Sequence, residues 1–308
     1  MPYMPNLELE DEDSLSLTKK QEAGLHRAGA HNTAVLDIAV LRLPRLSNFT
    51  DMDPLLSESD VSLRYVEHAG QWGNPDAVII PGSKNAIEDL LWLKETKLAE
   101  LLVRHAAEGG WTTAICGGYE MLGRRLLDPM HVESSIGEVE GLGLFPYDVI
   151  FEAEKRTVRV EGTANKLAGG KTLPITGYEI HMGELRWHGG ADCTKQPFVI
   201  REQNAAGRSA GEPSRGEGAS SSYKAEGACS TDGRVWGTFI HGILHNDDLR
   251  REWLNDIRQS KGLQRLPADL RFAEQREHAF DRLAEHARRY IQIDRIYALL
   301  NMQEEDKG

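Results

Sequence analysis

The sequence predicts an α/β fold with a mostly parallel central sheet flanked by helices. Apolar runs of strand type recur through the first part of the chain, and two of them lead into segments with helical spacing. The composition, 40% hydrophobic and 27% charged residues, is ordinary for a soluble enzyme of 308 residues. Strands that alternate with helices indicate βαβ units, whose right-handed crossovers cover both faces of a parallel sheet.

The first half of the chain contains the repeating units. Apolar runs fit buried strands at 34–41, 61–66, 77–80 and 111–115. Between the last two, a Pro-Gly-Ser-Lys-Asn turn leads into a short helix that begins near Ala86. A second helix carries leucines on one face and ends at Gly109-Gly110. Because both Gly82 and Cys116 follow predicted strands, we expect them to meet at one edge of the sheet.

The second half is richer in strand signals, and it suggests domain boundaries. We expect a linker or tail at 1–33, one catalytic domain at 34–250 and a helical extension packed on it at 251–308. Within the domain, the polar stretch 188–232 predicts a long flexible insertion. A strand then ends on His241, and the spacing of Phe280, Leu283, Ala287 and Tyr290 indicates an amphipathic helix.

Charge and cysteine usage narrow the function classes. A net charge of −12 without any basic stripe argues against a nucleic-acid partner. The sequence has neither a transmembrane run nor a signal sequence, which predicts a cytoplasmic protein that does not bind membranes. The three cysteines form no CxxC pair, so we expect no metal site and interpret Cys193 and Cys229 as incidental surface thiols.

The third cysteine stands in a different setting. Cys116 follows the strand candidate 111–115 and precedes Gly117-Gly118 and a helix-like pattern. A cysteine on such a turn has its sulfur pushed out of the backbone, and the amides that follow favour a thiolate and a developing oxyanion. We therefore expect Cys116 to be a catalytic nucleophile.

A nucleophilic cysteine needs a base, and His241 is the best candidate because it also ends a predicted strand before a glycine. His245, four residues later, permits a zinc interpretation, but no third ligand has a matching spacing. His181 has the spacing to bind substrate or orient a neighbour, and a structural role fits it equally well.

Backbone amides complete the expected site. Gly82 and Gly117 would supply the N–H donors of an oxyanion hole, because glycine permits close backbone approach. The Gly-Gly-Lys-Thr run at 169–172 does not form a P-loop, since the required first glycine falls on Asn165. We therefore expect no nucleotide cofactor in this chain.

Six segments together resemble a known family. They are the run LDIAVLRLPRLSNFTD at 36–51, PGSKN at 81–85, ICGGYEMLG at 115–123, VEGLGLF at 139–145, GYEIHMG at 177–183 and VWGTFIHG at 235–242. In this order they resemble the cobyric acid synthase family, and within it the C-terminal class I glutamine amidotransferase domain, over residues 34–187 and 233–300. The resemblance implies the flavodoxin-like form of the α/β fold.

The resemblance also implies roles for individual residues. Cys116 would attack the side-chain amide of glutamine to give a γ-glutamyl thioester and ammonia, with His241 as general base and acid. Arg156 or Arg159 would bind the glutamine carboxylate. Many class I amidotransferases have a glutamate two residues after the histidine, where this chain has Ile243. The third member of the triad is therefore absent or comes from elsewhere.

The partner that the resemblance implies is a synthetase domain. In the whole family enzyme that domain uses ATP and Mg to activate carboxylates of adenosylcobyrinic acid a,c-diamide, and it normally precedes this one. We expect this chain to be the ammonia-supplying part, either a fragment or one half of a split enzyme. Two alternatives stay open: a glutaminase subunit for another acceptor, such as a peptidoglycan precursor, and a non-catalytic module of the same fold.

Overall fold

The structure, a computed structural model, confirms the α/β fold. It describes residues 2, 4, 35–165, 167, 170–189, 194–203 and 222–299. Most of the tail expected at 1–33 lies outside the described residues, and so does Cys193. The described strands form two sheets, and helices pack on both faces of the first of them.

The first sheet has a parallel centre. Its strand order is β2-β1-β3-β4-β13-β12-β9, and every pairing from β2 to β13 is parallel, whereas β12 pairs antiparallel with both neighbours. The seven strands are β1 Leu36–Leu41, β2 Val61–Val66, β3 Ala77–Ile80, β4 Trp111–Ile115, β9 Thr194–Lys195, β12 Ala228–Ser230 and β13 Val235–Thr238. The four strands expected from the first part of the sequence are therefore confirmed.

Helices cover both faces of this sheet. One face packs against α2 and α3, and the other packs against α5, through separate clusters of buried apolar side chains. Alternation along β1 supplies both clusters, since Ile38 faces one of them and Ala39 the other. The helices are α1 Asp53–Ser57, α2 Ala86–Glu95, α3 Leu98–Ala107, α4 Gly117–Met121, α5 Asp247–Ser260, α6 Phe272–Tyr290 and α7 Ile293–Leu299.

The second sheet is built around a long hairpin. Strands β7 and β8 pair antiparallel from Tyr147↔Trp187 to Asn165↔Thr172, with an irregularity between Phe151 and Arg156. β8 also pairs with the two-residue strand β14, which follows β13 of the first sheet almost directly. The members are β5 Arg125–Leu127, β6 Glu138–Glu140, β7 Tyr147–Asn165, β8 Thr172–Trp187, β10 Phe198–Glu202, β11 Lys224–Glu226 and β14 Ile240–His241.

Buried arginines attach α5 to the segment between β1 and β2. Arg250 is fully buried, and its guanidinium contacts Glu58 Oε1 at 2.8 Å and the Leu244 carbonyl at 2.9 Å. Arg251 pairs with Glu58 and, at 2.9 Å, with Asp60. Removing one partner of such a network leaves an uncompensated buried charge. The network therefore fixes the position of the loop that enters β2.

Several expectations about the second half are wrong or need revision. Strands β9 to β12 occupy parts of the stretch 188–232 where a flexible insertion was expected, while 190–193 and 204–221 lie outside the described residues. Cys229, expected on the surface, is buried because it lies on β12 opposite Trp236. Helix α5 crosses the boundary expected at residue 250 and packs in the core.

The C-terminal helix α6 differs from the expected packed helix. Phe280 and Tyr290 are 47% and 50% exposed, and Ala279 is its buried residue. The helical periodicity predicted the element correctly, but the expectation that Phe280 and Tyr290 pack on the body is wrong. Within the part of the chain that the structure describes, no helix has both the length and the apolar character needed to cross a membrane.

Candidate active site

Cys116 occupies a strained turn between β4 and α4. Its backbone has φ 51° and ψ −114°, and non-glycine residues rarely adopt a positive φ. The glycines after it permit this turn, since a Cβ on Gly118 would lie 2.3 Å from the Ile80 carbonyl oxygen. The Cys116 N–H donates to the Thr238 carbonyl at 2.8 Å, which ties the turn to the end of β13. This is the strand, sharp turn and helix that the sequence predicted.

The thiol of Cys116 is almost enclosed, with 6% of the residue exposed. Burial raises the pKa of Cys116 well above its usual value, and the nearby carboxylate of Glu120 raises it further. A hydrogen bond from the Gly117 N–H acts in the opposite direction. The sulfur lies 3.4 Å from the Ile180 carbonyl oxygen, to which the thiol donates. The resting sulfur is therefore a protonated thiol that needs a base before it can attack.

His241 and Asp51 form the partner pair. Asp51 Oδ2 lies 2.7 Å from His241 Nδ1, and Asp51 Oδ1 accepts the Gly242 N–H at 2.8 Å. His241 is fully buried, and its Nε2 has no hydrogen-bond partner among the described residues. Because the carboxylate accepts the Nδ1 proton, the lone pair of the imidazole is on Nε2. The ring is thus oriented to accept a proton at Nε2.

The connection between the two sheets brings this pair to the cysteine. Thr238 lies opposite Ile115 in the first sheet, and His241 lies opposite Tyr178 in the second. Glu226 holds the chain where it passes from Thr238 toward His241. Its carboxylate accepts a hydrogen bond from the Thr238 hydroxyl at 2.6 Å and one from the Phe239 N–H at 2.8 Å. Burial raises the pKa of Glu226 to about 7. This buried carboxyl group fixes the crossing that carries the chain from β13 to His241.

Gly82 and Gly117 border the same region. A Cβ on Gly82 would lie 3.0 Å from His241 Cε1 and 2.7 Å from Ser47 Oγ, so the backbone of Gly82 is packed against the imidazole. Its carbonyl accepts the Ser47 N–H at 2.9 Å, and no hydrogen bond from the Gly82 N–H is present among the described residues. A Cβ on Gly117 would meet Ser83 at 2.9 Å. Both glycines therefore allow close backbone packing here, and their role as oxyanion donors stays a prediction.

Strand alternation separates the two candidate arginines. Arg159 on β7, Tyr178 on β8 and His241 on β14 are in register, so their side chains share one face of the sheet. Tyr178 stacks on the His241 ring at 5.3 Å between centroids. Arg159 is exposed, and two strand spacings put it roughly 10 Å from His241 along this row. A long side chain can reach the site from there.

Arg156 and His181 lie on the other face of β7 and β8. The Arg156 guanidinium contacts Glu179 at 2.7 Å and Glu202 at 2.6 Å, so two carboxylates already share its charge. His181 Nδ1 donates to the Gly183 carbonyl at 2.8 Å, and burial lowers the pKa of this histidine. Its ring is stacked on Phe239. Because two carboxylates already neutralise Arg156, Arg159 is the better candidate for a substrate carboxylate. The buried Nε2 of His181 has no partner among the described residues, and its binding role stays a prediction.

Asp51 is the functional residue that sequence reasoning missed. It ends the run at 36–51 that carried part of the family resemblance, but 190 positions separate it from His241. Because Ile243 stands where many class I amidotransferases have a glutamate, the sequence left the third triad member open. In the structure the carboxylate that contacts His241 is that of Asp51, from a different part of the chain. The only signal was an acidic residue just after a Ser-Asn-Phe-Thr turn, which is too common to single out.

The site can perform acyl transfer through the cysteine. It combines a nucleophile on a strained turn, an imidazole oriented by a carboxylate, and two glycine amides at the same place. Among the described residues there is no group of three or more His, Cys, Asp or Glu that could hold a metal ion. His245, considered above as a zinc ligand, instead contacts the Thr50 carbonyl through Nε2 at 3.1 Å.

Comparisons with known proteins agree with this chemistry. The CobB/CobQ-like glutamine amidotransferase domain matches residues 37–249. The cobyric acid synthases of Geobacillus thermodenitrificans and Geobacillus kaustophilus are 40% and 38% identical to this chain, each over 97% of it and over 54% and 53% of their own length. The chain thus spans about half the length of the curated relatives it matches.

Solved structures show a more distant likeness. PurLQS from Thermotoga maritima covers 67% of this chain and 87% of its own, with 15% identity and a TM-score of 0.45. The family match runs continuously over residues 37–249, a range that includes Asp51, Gly82, Cys116, Arg159 and His241. The chain therefore belongs to the CobB/CobQ-like glutamine amidotransferase family and is a glutamine amidotransferase.

Proposed function

We propose that this chain hydrolyses glutamine at Cys116 and supplies the ammonia for amidation of corrinoid carboxylates in cobalamin biosynthesis. The observation that carries the proposal is the His241 ring, fully buried and oriented by Asp51, at the strand end next to the strained Cys116 turn. The relatives named cobyric acid synthase support the choice of acceptor. The reaction would take place in the cytoplasm.

The proposed reaction begins with a proton transfer. His241 Nε2 takes the thiol proton of Cys116, and the thiolate attacks the side-chain carbonyl carbon of glutamine. The N–H groups of Gly82 and Gly117 stabilise the oxyanion. The tetrahedral intermediate then collapses, the C–N bond breaks, and the His241 proton leaves with ammonia. A γ-glutamyl thioester remains on Cys116, and His241 activates the water that hydrolyses it to glutamate.

Substrate placement and the partner complete the proposal. The Arg159 side chain would bind the α-carboxylate of glutamine, because it shares a face with Tyr178 and His241. Among the described residues it has no ion pair like those of Arg156. The ammonia acceptor would be adenosylcobyrinic acid a,c-diamide, activated by ATP and Mg in a synthetase region. That region would correspond to the half of the curated relatives that this chain does not cover.

The experiment measures ammonia release from glutamine by the purified chain, alone and with a separately expressed synthetase half, ATP, Mg and the corrinoid diamide. Cys116→Ala should abolish ammonia release, since no other group in the site replaces the sulfur. Cys229→Ala is the matched control, because Cys229 is an equally buried thiol on β12 and should leave the rate unchanged. Detection of amidated corrinoid by mass spectrometry would support the proposed acceptor. Ammonia release by the Cys116→Ala variant would refute the mechanism.

A further inference from the structure

His245 lies four residues after His241, and the proposed reaction gives it no role. Its Nε2 donates to the Thr50 carbonyl at 3.1 Å, and the proton must be on that nitrogen because a carbonyl oxygen only accepts. The same carbonyl accepts the Asp53 N–H. The ring packs edge-on against Phe272, with centroids 5.2 Å apart. The imidazole is half-buried and joins two segments that are distant in sequence.

The two segments are short 3₁₀ turns that lie next to the partner pair. One turn, Phe49–Met52, contains Asp51, and the other, Ile243–His245, begins two residues after His241. Asp51 links the first turn to the entry of the second through its bonds to His241 and Gly242. The His245 bond reaches the peptide group that immediately precedes Asp51. It therefore restrains the backbone from which the catalytic carboxylate projects.

We propose that His245 is a positioning residue that holds the Asp51 carboxylate against His241 during glutamine hydrolysis. The inference rests on the proposed function of the site. Both Asp51 oxygens must keep their partners at 2.7 and 2.8 Å for the His241 ring to stay oriented. A one-turn 3₁₀ segment has few internal hydrogen bonds. An outside donor at Thr50 limits its rotation, and such preorganisation is what catalysis requires.

The turns remain connected when this bond is removed, so the variants should fold. Arg250 still bridges Glu58, which follows the first segment, and Leu244 in the second. His245→Leu removes the donor, and His245→Gln keeps one, since an amide N–H can reach a neighbouring carbonyl. Phe272→Leu removes the ring contact alone and serves as the control. Thermal melts by circular dichroism establish that each variant is folded.

The first readout is spectroscopic and does not depend on turnover. A proton shared by an imidazole Nδ1 and a carboxylate gives a far-downfield NMR resonance, assigned here by its loss in Asp51→Asn. We expect His245→Leu to shift or broaden this resonance, and His245→Gln and Phe272→Leu to keep it. An unchanged resonance in His245→Leu would overturn the inference, whether or not the chain releases ammonia.

The second readout is kinetic. We expect His245→Leu to lower kcat about tenfold to a hundredfold, with KM for glutamine changed less than about threefold, because the geometry of the pair is lost and not the binding of substrate. His245→Gln should restore kcat to within about threefold of the wild type. In an Asp51→Asn background, His245→Leu should change kcat less than about twofold, since its effect acts through that carboxylate.

The outcomes separate the two proposals. If His245→Leu lowered kcat equally in the wild-type and Asp51→Asn backgrounds, the histidine would be merely structural. Failure of the His245→Gln variant to restore kcat would show the same. A wild-type chain without ammonia release in any mixture would refute the proposed function, while the NMR resonance would still test the role of His245.

Discussion

Replacing Asp51 by asparagine tests the orientation of His241 directly. The carboxylate accepts from both His241 Nδ1 and the Gly242 N–H. An asparagine can accept only one of these bonds, and its NH₂ group cannot face the Gly242 N–H. Its oxygen must therefore turn to Gly242, which presents the NH₂ group to Nδ1. The imidazole proton then moves to Nε2, so the ring can no longer accept the Cys116 proton.

The expected loss follows from this change of tautomer. We expect kcat for glutamine hydrolysis to fall by about 10² to 10⁴, the upper value being that of the same substitution in serine-protease triads. This corresponds to about 3 to 5 kcal/mol of transition-state stabilisation at 1.36 kcal/mol per decade. A thiol gives up its proton more readily than a serine hydroxyl, which accounts for the lower end of the range. KM should change little, because Asp51 is 3% exposed and lies behind the ring.

The assay is enzyme-coupled detection of ammonia at saturating glutamine. Asp53→Asn is the matched control, since Asp53 is a buried carboxylate two residues later, at the start of α1, and acts electrostatically on Tyr65. It should retain the wild-type kcat within about threefold, as expected for a carboxylate outside the pair. Activity of Asp51→Asn within the same threefold, or an equal loss in Asp53→Asn, would refute the assignment of Asp51 as the orienting carboxylate.

Two further predictions concern Gly82 and Glu226. Gly82→Ala should lower kcat about tenfold to a hundredfold, because its Cβ would lie 2.7 Å from Ser47 Oγ and 3.0 Å from His241 Cε1. Gly137→Ala, whose nearest neighbour is 3.5 Å away, should match the wild type in the same ammonia assay, and equal rates for both variants would contradict the packing argument. Burial raises the pKa of Glu226 to about 7 in the folded state, whereas the unfolded chain releases this proton near pH 4. Between these two pH values the folded protein holds a proton that the unfolded chain has lost, so the buried Glu226 lowers the free energy of unfolding as pH rises. The free energy of unfolding of Glu226→Gln relative to the wild type should therefore increase by about 3 kcal/mol from pH 4 to pH 8 in urea titrations, and a pH-independent difference would refute it.

The parts of the site that the sequence predicted are those with a local signal. Cys116 is recognised because a strand, two glycines and a helix pattern surround it within about ten residues, and His241 because it ends an alternating apolar run. Both signals arise from backbone geometry, which neighbouring residues determine. The same reasoning predicted the parallel strands β1 to β4, since buried strands have continuous apolar runs.

The parts that were missed depend on long-range pairing. Asp51 meets His241 only after the sheets assemble, and nothing beside it in sequence marks that contact. Cys229 stands among polar residues, and its burial comes from the pairing of β12 with β13. For Phe280 and Tyr290, helical spacing predicted a helix but not whether another surface would cover it. Periodicity identifies elements, whereas the neighbours of an element are a property of the whole fold.

The enclosure of the Cys116 sulfur also bears on its chemical durability. Peroxides and alkylating reagents attack thiolates, and they do so fastest when the sulfur is open to solvent. Cys116 is only 6% exposed, so its sulfur is not open to solvent. Its raised pKa also disfavours the thiolate. We therefore expect the resting thiol to react with peroxide more slowly than an exposed cysteine. The thiol becomes a strong nucleophile only when its proton passes to His241.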